Sequence, residues 1–323
     1  MNAKKIMYSL VREAGIGVAL VFICIIFSLI APHFASYANL TNIFTQISIN
    51  TVISVGMTFV ILLGGIDLSV GSVLALATIV AGLTITSESL SVGIAIFLAV
   101  VSSIAVGAAC GLFNGFVSER WKIHSFIVTL GMLNIARGAA LQISDSRTIF
   151  MFPDAFNAFG LKTVIGVPTI FLIALALVVI GSFVLRRTVF GRMIYAIGNN
   201  EEAVRLSGHN TILYKVAAFT ICGAMVGIAA IMYMLRLNIA SPILGVGFEL
   251  NAIAAVVIGG TSMMGGKGSL IGTFLGASIM GVLNNGLLLA GMSDFARQIV
   301  TGFIIVAAVV IDTYRAKLLE KFL

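Results

Sequence analysis

Residues 259 to 269 read GGTSMMGGKGS, and glycines followed by a lysine and a serine are the materials of a phosphate-binding loop. Such a loop needs a glycine six residues before its lysine and a serine or threonine directly after it, so that backbone N–H groups cradle the phosphates. Here Thr261 and Gly268 stand at those two places, and the chain is expected to bind no ATP by itself. His33, His124 and His209 are isolated, and neither H-E-x-x-H nor G-x-S-x-G occurs, so metal and nucleophilic catalysis lack their residues. Cys24, Cys110 and Cys222 fall far apart inside apolar runs, which suggests neither a disulfide framework nor a metal site.

A second dense polar stretch, IGNNEEAVRLSGHN at 197 to 210, separates two long apolar runs. Asn199 can cap a helix whose third residue is Glu202, a spacing at which the two side chains satisfy each other's backbone donors. Glu201 and Glu202 then lie in the first turn, where the helix dipole favours negative charge, and Gly208 suits a left-handed residue just past the end. The expected element is a helix of about two turns. Ala203, Leu206 and Ser207 share one face of it, Glu201, Glu202 and Arg205 surround that face with charge, and Asn200 and Val204 complete the segment. A short capped helix of this kind is suited to a groove on a soluble partner; a solvated connector explains the same residues equally well.

The elements that carry these stretches follow from composition. Of 323 residues, 60% are hydrophobic and 10% charged, and the mean hydropathy of +1.15 lies far above that of a soluble domain. Long apolar runs without two-residue alternation predict membrane-spanning helices, because lipid leaves backbone groups no outside partner. Spans are expected near 15–32, 42–63, 70–86, 91–117, 125–142, 164–185, 213–235, 249–262, 269–290 and 297–312. The third and eighth are short and bordered by glycine pairs, and the first is read as a retained helix rather than a cleaved signal.

Crossing at every span from an inside N-terminus puts fourteen of the nineteen Lys and Arg on one side and four on the other, which predicts cytoplasmic termini. The net charge of +7 then answers to anionic membrane lipid, with no nucleic-acid partner. Gly107, Gly111 and Gly115, Gly223 and Gly227, and Gly268, Gly272 and Gly276 recur every four residues, the spacing that lets helices approach closely in lipid. Asn50, Asn114, Asn134, Arg137, Asn251, Asn284 and Asn285 lie in or beside spans, where helix-to-helix hydrogen bonds or a polar passage would hold them. The acidic residues fall at span ends or in loops, so an ion relay has no carrier.

These residues resemble a known family. Glu202, Ala203, Val204 and Gly208 match the E-A-A-x-x-x-G coupling motif of bacterial ABC-importer permeases, with Val204 in place of the second alanine. VGMTFVILLGGIDLSVGSVLAL (55–76), GRMIYAIGNNEEAVRLSG (191–208), FELNAIAAVVIGGTSMMGGKGSLIGTFLGA (248–277) and NNGL (284–287) are similar to permeases of monosaccharide importers, most closely ribose permeases of the branched-chain amino acid/sugar permease superfamily. The resemblance runs from about residue 40 to beyond 310. It implies an all-α polytopic bundle of about ten transmembrane helices, type II-like, forming a single permease domain over 1–323 with a cytoplasmic coupling loop at about 186–213. It also implies a homodimer in the bacterial inner membrane, a periplasmic sugar-binding protein, and a separate ATPase with two nucleotide-binding halves that uses ATP and Mg, this chain binding no cofactor.

Within that frame Asn200, Glu201, Glu202, Ala203, Val204, Arg205, Leu206, Ser207 and Gly208 are the ATPase-coupling candidates. Asn114, Asn284 and Asn285 are candidates for the path lining, and Phe126 and Phe274 for its constrictions. Gly64, Gly65, Asp67, Ser69 and Gly71 form a turn in which Asp67 or Ser69 caps the next helix; Gly259 and Gly260 form a similar break, a hint of duplicated architecture, structural or gating. Ribose is the first choice of cargo, ahead of xylose, galactose, inositol or a furanosyl signalling molecule. A stand-alone sugar transporter or facilitator is the competing class.

Overall fold

A computed structural model describes the backbone of residues 3–321 and the side-chain surroundings of 13–310. Five helices precede a small extramembrane unit: α1 Ala3–Ile30, α2 Tyr37–Leu62, α3 Val70–Ile85, α4 Val92–Trp121 and α5 Ser125–Ile143. That unit is α6, Asp154–Leu161, and the two-residue strands β1, Thr163–Val164, and β2, Val167–Pro168, paired antiparallel. Then come α7 Thr169–Arg187, α8 Val189–Asn199, α9 Glu201–Leu206, α10 Thr211–Leu237, α11 Phe248–Ile258, α12 Leu270–Leu289 and α13 Asp294–Lys321.

Among the described residues, seven helices are long and apolar enough to cross a membrane: α1 from Glu13, α2, α4, α5, α7, α10 and α12. The expected third and eighth spans are α3, with 16 residues, and α11, with 11. At about 1.5 Å per residue α11 reaches only about 16 Å, roughly half the hydrocarbon thickness. Irregular backbone follows both glycine pairs, and it is sheltered by protein: Asp67, Ser69 and Thr261 are all buried.

The core is a column around α2, buried along almost its whole length from Ile43 to Leu62, flanked by α7, α10, α11 and α12. Helices α1, α4, α5 and α7 show apolar side chains outward, as lipid-facing helices do. The glycine stripes of α4 and α10 meet each other: a Cβ on Gly107 would overlap the Gly223 carbonyl, and one on Gly223 would overlap that of Gly107. Ser103 Oγ donates to the Gly227 carbonyl at 2.8 Å in the same seam. Side-chain absence is what lets the backbones touch, and dispersion and polar contacts hold the pair where lipid supplies no hydrophobic drive.

Candidate functional site

The first candidate is α9 and what supports it. Thr188 caps α8 by accepting from Gly191 N at 3.2 Å, and α8 runs to Asn199. Asn200 then turns extended, and its Oδ1 accepts from Ala203 N at 2.9 Å. Asn200, not Asn199, is therefore the N-cap. Asn199 is spent elsewhere, its amide donating to the carbonyls of Tyr195 at 2.7 Å and Gly266 at 3.3 Å. Glu202 becomes the second helical residue, so it closes no capping box and pairs with Arg205 at 2.7 Å instead. Gly208 ends the helix with φ +84°, the left-handed conformation that glycine adopts without strain.

The two faces of α9 differ. Ala203, Leu206 and Ser207 are exposed together with Glu202 and Arg205, Leu206 at 77%. Val204 is buried against the body of the protein, so the one departure from E-A-A falls on the packing face. Glu201 also turns inward: its carboxylate meets Lys215 Nζ at 2.6 Å and accepts from Thr211 Oγ1 at 3.2 Å. Partial burial pushes the Glu201 carboxyl up, but the Lys215 hydrogen bond and charge, the Thr211 hydroxyl and the Lys122 charge outweigh it and hold it below its ordinary value.

Beside α9 the two glycine breaks are tied together. Gly266 N donates to the Leu62 carbonyl at 2.9 Å, and Tyr195 Oη donates to Gly268 O at 3.0 Å. Gly64 at φ +76° and Gly260 at φ +80° supply the left-handed turns, while Gly65 and Gly259 flank them. Gly71 lies so close to Gly245 that a Cβ would overlap the Gly245 carbonyl. Neither Asp67 nor Ser69 caps by a side-chain bond to the first turn. Ser69 holds the N-cap position, and Asp67 Oδ1 accepts from Ser69 N at 2.9 Å and from Ser69 Oγ at 2.6 Å.

The second candidate is a cavity of about 220 Å³ between α2, α10, α11 and α12. Gln46, Asn50, Tyr233, Arg236, Phe248, Asn251 and Asn284 line it with Ile49, Met280 and Gly281. Arg236 lies in the last turn of α10, whose first turn adjoins α9, so about 37 Å of helix separates the cavity from α9. Its volume is below the roughly 300 Å³ at which dedicated ligand pockets begin, and its wall mixes amides, a guanidinium and aromatic rings.

Of the candidates for path lining and constriction, Asn284 is on this wall, and Asn50 and Asn251 join it from the wider set of polar residues in the spans. Asn114 is fully buried between helices, donating to Ser69 Oγ at 3.0 Å and to Asp67 Oδ2 at 3.5 Å. Asn285 exchanges amide bonds with Asn39 at 2.9 and 3.0 Å, tying α12 to α2. Phe126 is half exposed on α5, and Phe274 packs on Phe171 with ring centroids 6.1 Å apart. Gln46, Tyr233, Arg236 and Phe248 escaped the sequence reading, although spacing signals them: Gln46 and Asn50, Tyr233 and Arg236, and Phe248 and Asn251 are three- or four-residue pairs on single helix faces.

Residues 39–309 match the family model described as branched-chain amino acid transport system / permease component. The chain is 40% identical over 299 residues to the ribose import permease protein RbsC of Escherichia coli strain K12, covering 91% of this chain and 92% of that one. It is 37% identical to the D-allose transport system permease protein AlsC of the same strain, over 92% of this chain and 90% of the relative. With the L-arabinose transport system permease protein AraH, again of that strain, the identity is 35%, over 94% and 92%. No solved structure matches the chain significantly.

Proposed function

This chain belongs to the branched-chain amino acid transport system / permease component family, and from that premise we propose that it forms the membrane path of an ABC importer for ribose. It is a permease subunit, a transport component rather than an enzyme. Ribose is put first because the relative named for it shares 40% identity, against 37% and 35% for those named for allose and arabinose. Two copies of the chain enclose the path in the bacterial inner membrane. A separate ATPase with two nucleotide-binding halves uses ATP and Mg, and a periplasmic binding protein delivers the sugar. The charge asymmetry supports a cytoplasmic location for both termini and α9.

The observation that carries this reading is α9: a capped six-residue helix with its packing face buried and Glu202, Arg205 and Leu206 turned outward. It is the ATPase-docking part of the loop at 186–213. Closure of the ATPase halves displaces α9, and the helices joined to it tilt to switch access between sides. The wall that carries Asn50, Arg236, Asn251 and Asn284, at the end of α10 far from α9, contributes the polar lining of that path. A facilitator working alone gives α9 no role.

The test is ATP hydrolysis in lipid nanodiscs by the chain with its ATPase, with and without ribose-loaded binding protein. Stimulation that needs this chain and disappears in the Glu202→Ala/Gly208→Ala double variant is expected. Sugar flux from this chain alone, with no ATPase bound, would overturn the reading. Repeating the assay with allose and arabinose ranks the cargo.

A further inference from the structure

The link from α9 to α10 is four residues, 207 to 210, and includes Gly208 at φ +84°. Ser207 N, Gly208 N and His209 N donate back to the carbonyls of Ala203, Arg205 and Val204, so this link is bonded to α9 and its backbone bonds give α9 no hold on the body of α10. A non-covalent path runs beside it. Lys215 Nζ, in the second turn of α10, meets Glu201 of α9 at 2.6 Å and Glu119 of α4 at 3.1 Å. The Lys215 and Glu119 side chains are only 16% and 10% exposed, which limits screening of their contact by water and salt, while Glu201 is 39% exposed and reaches Lys215 from the surface. Two carboxylates on different helices thus share one ammonium.

The α4–α10 pair does not need this ion pair to stay together, because the Gly107–Gly223 seam already locks it. What Lys215 adds is α9. Farther along α4, Asn114 holds Asp67 and Ser69 at the start of α3, so movement of α4 reaches the first glycine break. A polar cavity of about 230 Å³ lies between Lys215, Glu119 and that break, bounded by Gly64, Gly65 and Ser125.

We propose that Lys215 is a positioning residue that makes α9, α10 and α4 one mechanical unit, so that displacement of α9 is delivered to the α4–α10 pair and not lost in the 207–210 link. The inference rests on α9 being the docking helix. It also divides labour within that helix: Glu202 and Arg205 meet the partner, while Glu201 faces inward and transmits.

The experiment compares wild type, Lys215→Met, Lys215→Arg and Glu201→Gln in nanodiscs, measuring ATPase co-purification, ATP hydrolysis and sugar moved per ATP. K215M and E201Q should keep the ATPase bound and hydrolysing while sugar per ATP falls roughly tenfold, within the range seen for mutations that weaken coupling. K215R, which keeps the charge, should recover most of that loss. If K215M does not assemble, E201Q decides, because it leaves the Lys215–Glu119 pair intact. Unchanged sugar per ATP, or loss of ATPase binding in both variants, would overturn the inference. Failure of the wild-type chain to bind any ATPase would instead overturn the docking role of α9.

Discussion

At the residue scale, Asn200 and Glu201 set the stability of α9 from its first turn. Asn200→Ala removes the acceptor for Ala203 N and should cost about 1 kcal/mol of local stability. Faster amide exchange over 201–207, restored by Asn200→Asp, checks it; unchanged exchange would count against the cap. Glu201 makes a pH-dependent contribution. Its carboxyl is held below its ordinary value in the folded protein, so its stabilisation is fully present above the unfolded value and lost as pH falls through the lowered folded one. Exchange protection of α9 should therefore hold from neutral pH down to the ordinary carboxylate range, near about 4.3, and decay below it. In Glu201→Gln that decay should be absent.

The same pair of residues shows what the sequence carried and what it withheld. A capped helix ending at Gly208 was legible because cap chemistry is local. Which asparagine caps was not, since Asn199 is claimed by Gly266, 67 residues away. Glu201 and Glu202 look alike in the sequence, and only the nearby Lys215 distinguishes them.

At the element scale, the glycine stripes identified close-packing helices but not which stripes meet. Gly107 and Gly223 do, backbone against backbone. Gly223→Leu has no room for its side chain and should destabilise the protein by at least the 1–3 kcal/mol typical of overpacking. Gly17→Leu on α1, where an added Cβ meets nothing within 4 Å, is the control and should leave the unfolding temperature in detergent nearly unchanged. Equal losses in both variants would show that the seam is not specially tight. Lone polar residues were harder to read. Asn114, Asn285 and Asn284 are alike in type and setting, yet two bond across helices to Ser69, Asp67 and Asn39, and the third donates within its own helix to the Met280 carbonyl and lines a cavity.

At the scale of the whole molecule, α9 at one end and the polar cavity at the other are separated by the length of α10. Asn50→Leu combined with Asn251→Leu should reduce sugar transport while leaving ATPase association intact, because both residues are remote from α9 and line the cavity. Loss of assembly together with transport would argue that these amides hold the bundle instead. The class of fold was evident from composition alone, since lipid admits few architectures. The cavity was not, because it is assembled from four helices spread over more than 200 residues of chain.

The brevity of α3 and α11 bears on how the protein is made. A segment of about 16 Å or 24 Å does not meet the length at which a lone helix partitions into a bilayer of about 30 Å. Each must enter with a longer neighbour against which it packs, α3 with α4 and α11 with α12, as hairpins leaving the translocation machinery together. The Leu62 carbonyl receives Gly266 N only after some 200 further residues have been synthesised. During that interval the first break is held only by earlier-made partners, among them Asn114 on Asp67 and Ser69 and Ser125 on the Ile66 N–H, which makes the nascent chain, rather than the finished transporter, the stage at which quality-control proteases should find it most vulnerable.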